Sequence, residues 1–369
     1  MPEPRILLAG GGTAGHVNPL LATAAELATH GARLTVLGTE AGLEARLVPA
    51  AGLPLRIVPR VPLPRRPSVD LLRLPARLRR AVGAAHAAIP ETGAEVVVGF
   101  GGYVATPAYL AARRLGVPVV VHEQNARPGL ANRLGARWAR HVAVSFPGTP
   151  LPRAVLTGLP LRATIRDLVA DRTADAAARR RAGAAALGLD PSRTTLLVTG
   201  GSLGAARINT ALAEGAPDLI DAGVQVLHLT GAGKDAQVRS ATAGLAGYHV
   251  HSYLDDMASA YAAADLVLAR AGAGTVSELA ALGLGAVYVP LPIGNGEQRR
   301  NAADVVAAGG GLLVPDDELT ASYVRGPLRE LLSAPDRLRA MSTAAAQAGI
   351  RDGATRLTEL VLDAAGAGS

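Results

Sequence analysis

The chain has 369 residues, of which 49% are hydrophobic and 18% charged, and it carries a formal net charge of +7. The length suits two domains, and the composition is that of well-buried lobes and not of a disordered chain. Because the chain has no cysteine, disulfides, thiolate metal sites and a cysteine nucleophile are excluded. No signal peptide and no uninterrupted run of about 18 apolar residues is visible, so we expect a cytoplasmic protein without a membrane span.

Arginine supplies almost all of the positive charge, since Lys234 is the only lysine. Two interpretations stay open: a compositional bias toward Ala, Gly and Arg, or an anionic partner such as phosphates, a membrane surface or nucleic acid. Nucleic acid is the weakest of these, because aromatic residues, which stack on bases, make up 3% of the chain.

Two glycine-rich turns follow apolar, strand-like runs, one in each half of the chain. The first is Gly10–His16 after Ile6–Ala9, and the second is Gly200–Ala205 after Leu196–Thr199. In parallel α/β sheets such turns lead from a strand into a helix whose free amides face an anion. The pair therefore predicts two nucleotide-fold lobes with a cleft between them.

Strand-like and helix-like segments alternate through both halves, which is typical of parallel sheets. In the first half we predict strands at Ile6–Ala9, Leu34–Leu37, Val96–Val98 and Val117–Val121, with helices such as Leu20–Thr29 and Thr106–Leu115. In the second half we predict strands at Thr195–Thr199, Val224–Leu229, Tyr248–Val250, Leu266–Ala269 and Ala286–Val289, then helices near Pro335–Ala348 and Ala354–Ala364. The domain boundary is placed near residue 162, and an exposed Ala/Arg-rich helix is favoured over a flexible linker for residues 167–188.

The first glycine turn fits the dinucleotide fingerprint G-x-G-x-x-G, but a dehydrogenase needs an acid about 20 residues further on. Here Glu40 comes 30 residues after Gly10. A P-loop is excluded because no Gly-Lys-Ser or Gly-Lys-Thr sequence is present. His16 is the candidate general base, because an unperturbed imidazole pKa suits proton transfer near neutrality. The alternative is a histidine that only caps or packs.

Four further segments have the composition of ligand sites at strand ends. Gly99–Tyr103 is a second glycine turn before a helix that opens near Thr106. His122–Asn125 is a polar cluster after a buried strand. In Arg270–Glu278, with a helix starting at Gly274 or Thr275, Glu278 of the first turn is either a dipole partner or a ribose ligand. The amides of residues 294–301 could contact sugar hydroxyls.

Residues 60–80 contain seven arginines and one acid, Asp70, with leucines interleaved. Two interpretations stay open from this pattern alone. The segment could lie on an anionic bilayer, or it could be a surface helix that packs its leucines on the lobe.

Six segments, taken in order, resemble the MurG family of peptidoglycan glycosyltransferases. They are Gly11–His16, Gly99–Tyr103, His122–Asn125, Gly200–Ser202, Arg270–Glu278 and Gly294–Asn301. The resemblance covers nearly the whole chain. It implies a GT-B fold, an α/β architecture of two Rossmann-like parallel-sheet lobes. It also implies inverting, metal-independent transfer of N-acetylglucosamine from UDP-GlcNAc to the 4-hydroxyl of undecaprenyl-diphospho-MurNAc-pentapeptide (lipid I), which forms lipid II.

The resemblance assigns roles residue by residue. His16 is implied as the catalytic base, and residues 1–161 as an acceptor lobe onto which a C-terminal helix, about residues 350–369, packs back. Residues 162–349 are implied as the donor lobe. Donor contacts are implied for Thr13, Ala14, Gly15, Asn125, Arg162, Ser202, Leu254, Gly274, Thr275, Glu278, Gln298 and Asn301. The acceptor diphosphate is implied at Gly12, Gly101, Gly102 and Tyr103, and the membrane segment at Leu71, Leu72, Arg73, Arg77, Leu78 and Arg80.

The implied partners are UDP-GlcNAc, lipid I and the anionic inner membrane surface, with no nucleic acid, no cofactor and no metal. The expected location is peripheral, at the cytoplasmic face of the cell membrane. The chain departs from the family pattern at Leu159, Leu203 and Glu297, where Asn, Gln and Gln are common. The alternatives are another GT-B UDP-sugar enzyme, namely a lipid glycosyltransferase or a UDP-GlcNAc 2-epimerase, and a non-catalytic membrane scaffold.

Overall fold

The computed structural model describes residues 3–61, 70–201, 204–293 and 295–366, the side chains of residues 70–73 excepted. The chain divides into two compact units, Met1–Arg162 with Asp352–Ser369, and Ala163–Arg351. Each unit is built on one parallel sheet with helices packed against it.

The first unit has a seven-stranded sheet with the order β3-β2-β1-β4-β5-β6-β7. Its strands are β1 Arg5–Ala9, β2 Arg33–Gly38, β3 Leu55–Ile57, β4 Val96–Gly99, β5 Val119–Glu123, β6 His141–Val144 and β7 Ala154–Leu156. Its helices before the second unit are α1 Ala14–Thr29, α2 Glu44–Ala50, α3 Asp70–Thr92, α4 Gly102–Leu115 and α5 Leu130–Gly135.

The central strands of this sheet are apolar throughout because helices cover both faces. Along β1, Leu7 and Ala9 pack into one core cluster with residues of α3 and α4. The alternate residues Ile6 and Leu8 pack into a second cluster, which includes residues of α1. Such a strand lacks the apolar–polar alternation of a half-exposed strand.

The second unit has a six-stranded sheet with the order β10-β9-β8-β11-β12-β13. Its strands are β8 Thr195–Thr199, β9 Gln225–Leu229, β10 Tyr248–His251, β11 Leu266–Ala269, β12 Ala286–Tyr288 and β13 Gly311–Leu313. Its helices are α6 Ala163–Ala186, α7 Ala206–Asp221, α8 Asp235–Ala241, α9 Met257–Ala263, α10 Ala273–Leu282, α11 Glu297–Asn301, α12 Ala303–Ala307, α13 Ala321–Tyr323, α14 Arg329–Leu332 and α15 Pro335–Ala348. A π-helical turn, Val324–Leu328, joins α13 to α14.

The last helix, α16 Gly353–Gly366, returns to the first unit. Leu357 and Val361 join the core cluster of Ile6 and Leu8. Asp363 accepts a hydrogen bond from His141 of β6, with 2.7 Å between Nε2 and Oδ2. The first unit is therefore completed by both ends of the chain.

The prediction of two parallel-sheet lobes is confirmed. The short strands β3, β6, β7 and β13, of three or four residues each, were not predicted. The predicted start of α4 near Thr106 is wrong, because the helix begins at Gly102. The predicted strand Val117–Val121 is displaced by two residues, since β5 extends to Glu123. Pro118 cannot donate to the ladder, which accounts for the later start.

Candidate functional site

The first glycine turn places His16 in the first turn of α1. Thr13, in extended conformation, precedes the helix, and its carbonyl accepts from the amides of both His16 and Val17 at 3.1 Å. The Thr13 Oγ1 atom lies 3.0 Å from Nδ1 of His16. In the tautomer whose Nδ1–H donates to Thr13, the lone pair is on Nε2, which can then accept a proton.

The second glycine turn lies against the same imidazole. A Cβ atom at Gly101 would stand 3.2 Å from Nε2 of His16, and Gly101 has a φ of +91°. Glycine is therefore required here both for the backbone conformation and because a side chain would crowd the edge of the imidazole that carries Nε2. His16 is half-buried, and this burial lowers its pKa, partly opposed by Glu44 and the Gly11 backbone. The imidazole is consequently neutral at pH 7, as a base must be.

Glu44, which the sequence did not single out, has a fully buried carboxylate beneath the first turn. Its Oε2 accepts from the Gly12 amide at 2.8 Å, and its Oε1 accepts from the Thr39 amide and hydroxyl at 3.1 and 2.6 Å. These hydrogen bonds lower the pKa of Glu44 although burial acts in the opposite direction. Since the Gly12 N–H is engaged here, Gly12 can contribute to a ligand site through its lack of a side chain but not through that amide.

A pocket beside this turn is lined by Gly11, Gly12, Thr39, Ala41, Gly42, Glu44, Arg60, Tyr103 and Val104. The guanidinium of Arg60 lies over the ring of Tyr103, 5.1 Å from its centroid, in a cation–π contact. Gly102 approaches the first turn so closely that a Cβ there would be 2.4 Å from the Gly11 carbonyl oxygen. The two glycine turns thus form one surface with a cationic side chain at its edge.

The polar cluster His122–Asn125 does not follow its strand as predicted, because His122 and Glu123 belong to β5 and are buried. Glu123 accepts hydrogen bonds from the amides of Asn125 and Gly129, each at 2.9 Å. Burial lowers the pKa of His122 to about 4. These side chains hold the loop, and the half-buried Asn125 is the member left at a position where a ligand could reach it.

Behind Glu123 runs a buried chain of hydrogen bonds that the sequence did not reveal. Tyr109 donates to Asn132 Oδ1 at 2.8 Å, and Asn132 Nδ2 donates to Glu123 Oε2 at 3.0 Å. A Cβ at Gly101 would be 3.3 Å from Asn132 Nδ2, so this chain supports the second glycine turn. Tyr109, Glu123 and Asn132 belong to α4, β5 and α5, and only the fold brings them together.

In the second unit, the turn after β8 requires glycine at Gly204. Its φ is +63°, and a Cβ would stand 2.0 Å from the carbonyl oxygen of Thr230. The Gly201 amide donates to Thr199 Oγ1 at 3.1 Å. Ser202, an implied donor ligand, and Leu203, a departure from the family pattern, lie outside the described residues.

Helix α10 carries three of the implied donor ligands. It begins at Ala273 and not at Gly274 or Thr275, so those two residues occupy its first turn. Glu278 consequently lies in the second turn, which corrects the predicted position. Its buried carboxylate accepts from the Tyr261 hydroxyl at 3.2 Å. A first-turn dipole role is thereby removed, and the ribose role stays a prediction.

An ion-pair cluster supports the loop that leads into α10. Arg270 donates to the carbonyl oxygens of Val289 and Pro290, at 3.1 and 3.2 Å, and to Asp316 Oδ1 at 2.6 Å. Asp316 also pairs with Arg207, at 3.3 Å. Arg270 therefore ties the ends of β11 and β12 to the loop after β13, and only the tertiary structure shows this.

The other implied donor ligands occupy loops and helix starts. Gln298 Oε1 accepts from the Leu291 amide at 2.9 Å, and Asn301 Nδ2 donates to the Ala271 carbonyl at 3.3 Å. Leu254 is half-buried in the loop between β10 and α9. In the first unit, Thr13, Ala14 and Gly15 are exposed and Arg162 is half-buried. Of the remaining departures, Leu159 is buried and Glu297 is the first residue of α11.

The basic segment is partly described. The structure does not describe the side chains of Leu71, Leu72 and Arg73. Leu78 is half-buried and packs on the core, as the surface-helix interpretation requires. Arg77 is half-buried and Arg80 is exposed on the same helix. Searched over the described residues, no helix is long and apolar enough to span a membrane. The same part of the chain holds no group of three or more His, Asp or Glu placed to bind a metal ion.

Comparison with known proteins defines the class. Residues 6–144 match the N-terminal domain model of glycosyltransferase family 28, and residues 195–357 match the C-terminal domain model. A crystal structure of Acinetobacter baumannii MurG is similar with a TM-score of 0.79 and 29% identity, covering 98% of this chain and 100% of that one. The fold is the GT-B architecture of such glycosyltransferases.

Two curated relatives place the chain more narrowly. One from a Nocardioides species is 55% identical over 97% of this chain and 98% of the relative. One from Clavibacter sepedonicus is 54% identical over 97% and 96%. Both are named UDP-N-acetylglucosamine–N-acetylmuramyl-(pentapeptide) pyrophosphoryl-undecaprenol N-acetylglucosamine transferase. The chain belongs to glycosyltransferase family 28 and, within it, to the MurG family.

Proposed function

We propose that this chain transfers N-acetylglucosamine from UDP-GlcNAc to the 4-hydroxyl of undecaprenyl-diphospho-MurNAc-pentapeptide, with inversion at the anomeric carbon. The observation that carries the proposal is full-length identity above 50% to relatives named for this reaction. The arrangement at the first glycine turn supports it, because a half-buried imidazole of lowered pKa is held there by Thr13 and lies against the second glycine turn. The products are UDP and the disaccharide lipid, lipid II.

In the proposed step, His16 Nε2 takes the proton of the acceptor hydroxyl as its oxygen attacks the anomeric carbon. The bond from that carbon to the UDP oxygen breaks, and UDP leaves as an anion. We assign the acceptor diphosphate to the surface formed by the two glycine turns, where Arg60 supplies a positive charge beside Tyr103. Gly101 and Gly102 would contribute backbone to this surface, because the space left by their missing side chains is filled by the Gly11 carbonyl and the His16 imidazole.

We assign the donor to the second unit and to Arg162, the residue that directly precedes it in the chain. The amides of the first turn of α10, at Gly274 and Thr275, have no acceptor within the helix and suit a diphosphate. Glu278 would accept the ribose hydroxyls, and Arg162 with the Ser202 turn would carry further negative charge of UDP. Gln298 and Asn301 would contact the sugar, and the backbone at Leu254 the uracil. In this proposal positive charge and helix amides stabilise the leaving group, so that no metal is needed.

The decisive experiment is UDP release from UDP-GlcNAc with and without a short-chain lipid I analogue, in the presence of EDTA. Release that depends on the analogue and survives EDTA is the expected result. Release without the analogue would indicate an epimerase-like or hydrolytic activity. UDP binding with no release in either condition would contradict the proposal and favour another acceptor or a non-catalytic role.

We also propose that the protein acts peripherally at the cytoplasmic face of the membrane, where the lipid acceptor would be reached through the basic segment. The exposed arginines of α3 support this location, because about 1 kcal/mol of attraction to an anionic surface is typical for each basic residue. The implied set Leu71, Leu72, Arg73, Arg77, Leu78 and Arg80 lies on this helix.

Replacing the exposed residues Arg79 and Arg80 by Glu is expected to weaken binding to vesicles containing anionic lipid. Two positive charges become negative and the net charge falls by four units, so a large fraction of the electrostatic attraction is lost at low salt. Co-sedimentation with vesicles measures this. The matched control replaces Arg337 and Arg339 of α15, also exposed, by Glu. Equal binding of the two double variants would contradict a role for α3.

A further inference from the structure

Glu44 has a buried carboxylate that the proposed reaction leaves without a role. Its carboxylate bridges two segments of the first unit, the glycine turn after β1 and the end of β2. In dinucleotide-binding folds an acid near the end of the second strand faces the ligand ribose. Here the Glu44 carboxylate is buried, and both of its oxygens accept hydrogen bonds from Gly12 and Thr39 of the protein itself.

The surroundings are shaped around this carboxylate. A Cβ atom at Gly11 would lie 2.4 Å from Oε1 of Glu44, and one at Gly42 would lie 2.0 Å from Oε2. A Cβ at Gly38 would lie 2.8 Å from its Cγ. Three glycines therefore make room for a single buried side chain. A charge taken out of water is costly unless its oxygens receive hydrogen bonds, and here three donors supply them.

The carboxylate is also coupled to the imidazole. The Gly12 amide that Glu44 holds immediately precedes Thr13, whose side chain contacts His16 Nδ1. The negative charge of Glu44 raises the pKa of His16 against the effect of burial. Any shift of this turn would move Thr13 and the imidazole together.

We propose that Glu44 is a positioning residue for the transfer reaction. Its ionised carboxylate fixes the first glycine turn, so that His16 keeps the orientation in which Nε2 can take a proton. The same charge stabilises the imidazolium formed when the proton arrives. This inference rests on the proposed function, in which His16 is the base.

A test must distinguish the effect of Glu44 from the effects of the other charged and titratable groups around the first glycine turn. They are Arg60 from the segment before α3, Tyr103 from α4 and, behind Asn132, Glu123 from β5. The exposed residue Glu40, four positions before Glu44 on the same loop, provides a matched control, because Glu40→Gln removes the same charge without touching the turn.

The test compares Glu44→Gln, Glu44→Asp and Glu40→Gln by steady-state kinetics across pH, with UDP binding and thermal unfolding as checks of the fold. In Glu44→Gln one accepting oxygen becomes an NH₂ donor that faces an N–H group. We expect kcat to fall by up to about 100-fold, the loss typical of a misplacement of about 1 Å. The acid limb of the kcat/KM profile should move to lower pH, since the charge that raises the pKa of His16 is gone.

Glu44→Asp keeps the charge and is expected to leave the acid limb in place, while Glu40→Gln should behave as wild type. If the acid limb of the kcat/KM profile of Glu44→Gln coincides with that of the wild type, the proposal is overturned, whatever the effect on kcat. If Glu44→Gln does not fold, Thr39→Val carries the test, because it removes only the hydroxyl donor at 2.6 Å. Wild-type turnover by Thr39→Val would then overturn the proposal.

Failure of the proposed function gives a different result. In that case the wild type shows no acceptor-dependent release of UDP, or His16→Ala keeps full turnover. Failure of the inference alone leaves both of those experiments as expected, and only the Glu44 or Thr39 variants depart from expectation.

Discussion

Replacing His16 by alanine is expected to lower turnover by about 10²- to 10⁴-fold, the usual contribution of a general base. The affinity for UDP should not change, because we assign UDP to the second unit. In the wild type, burial lowers the pKa of His16 below 6.5, so kcat/KM should decline only as the pH falls below that value. Steady-state kinetics of UDP release and calorimetric titration with UDP measure the two quantities.

The matched control is His86→Ala, which removes an exposed imidazole of α3 in the same unit. It should leave turnover and the pH profile unchanged. Wild-type turnover by His16→Ala would remove His16 as the base. A loss of UDP affinity equal to the loss of turnover would instead assign His16 to donor binding.

Replacing Glu278 by alanine is expected to weaken UDP-GlcNAc binding by roughly 10- to 150-fold. This range corresponds to about 1.5–3 kcal/mol for a hydrogen bond to a charged group. The carboxylate is buried on α10, and Tyr261 already holds one of its oxygens. The acceptor KM should stay near its wild-type value, since Glu278 belongs to the unit that we assign to the donor.

Glu330→Ala, which removes an exposed acid of α14 in the same unit, is the control and should bind UDP as the wild type does. Tyr261→Phe should cause a smaller loss than Glu278→Ala, because the carboxylate remains. Unaltered UDP affinity in Glu278→Ala, with the fold confirmed by thermal unfolding, would exclude the ribose role.

Part of the candidate site could be predicted from the sequence because its signals are local. A glycine turn directly after a buried strand and before a helix identifies His16, Gly101 and Gly204 from a few neighbouring residues. The predicted ends of helices and strands were less accurate than their positions. Helix α10 begins at Ala273, one residue before Gly274 and two before Thr275, the two predicted starts, and this moves Glu278 into the second turn. Glycine and alanine there provide no capping side chain that would mark the start.

The polar residues that support the turns could not be predicted, because their partners are distant in sequence. Glu44 is 32 residues from Gly12, and Arg270 is 46 residues from Asp316. Taken singly, each is a charged residue near a loop, which is ordinarily exposed to solvent. Only the parallel sheet, which brings strand ends to one edge, makes them neighbours.

By itself the sequence determined the fold class, the positions of the main strands along the chain and the family. These properties depend on the hydrophobic pattern and on short motifs, which require no knowledge of distant contacts. The tertiary structure decided which polar groups are available to a ligand. It buries His122, Glu123 and Glu44 with partners of their own and leaves His16 half-buried between the two glycine turns. A buried polar group must satisfy its hydrogen bonds inside the protein, and the fold alone determines which groups are buried.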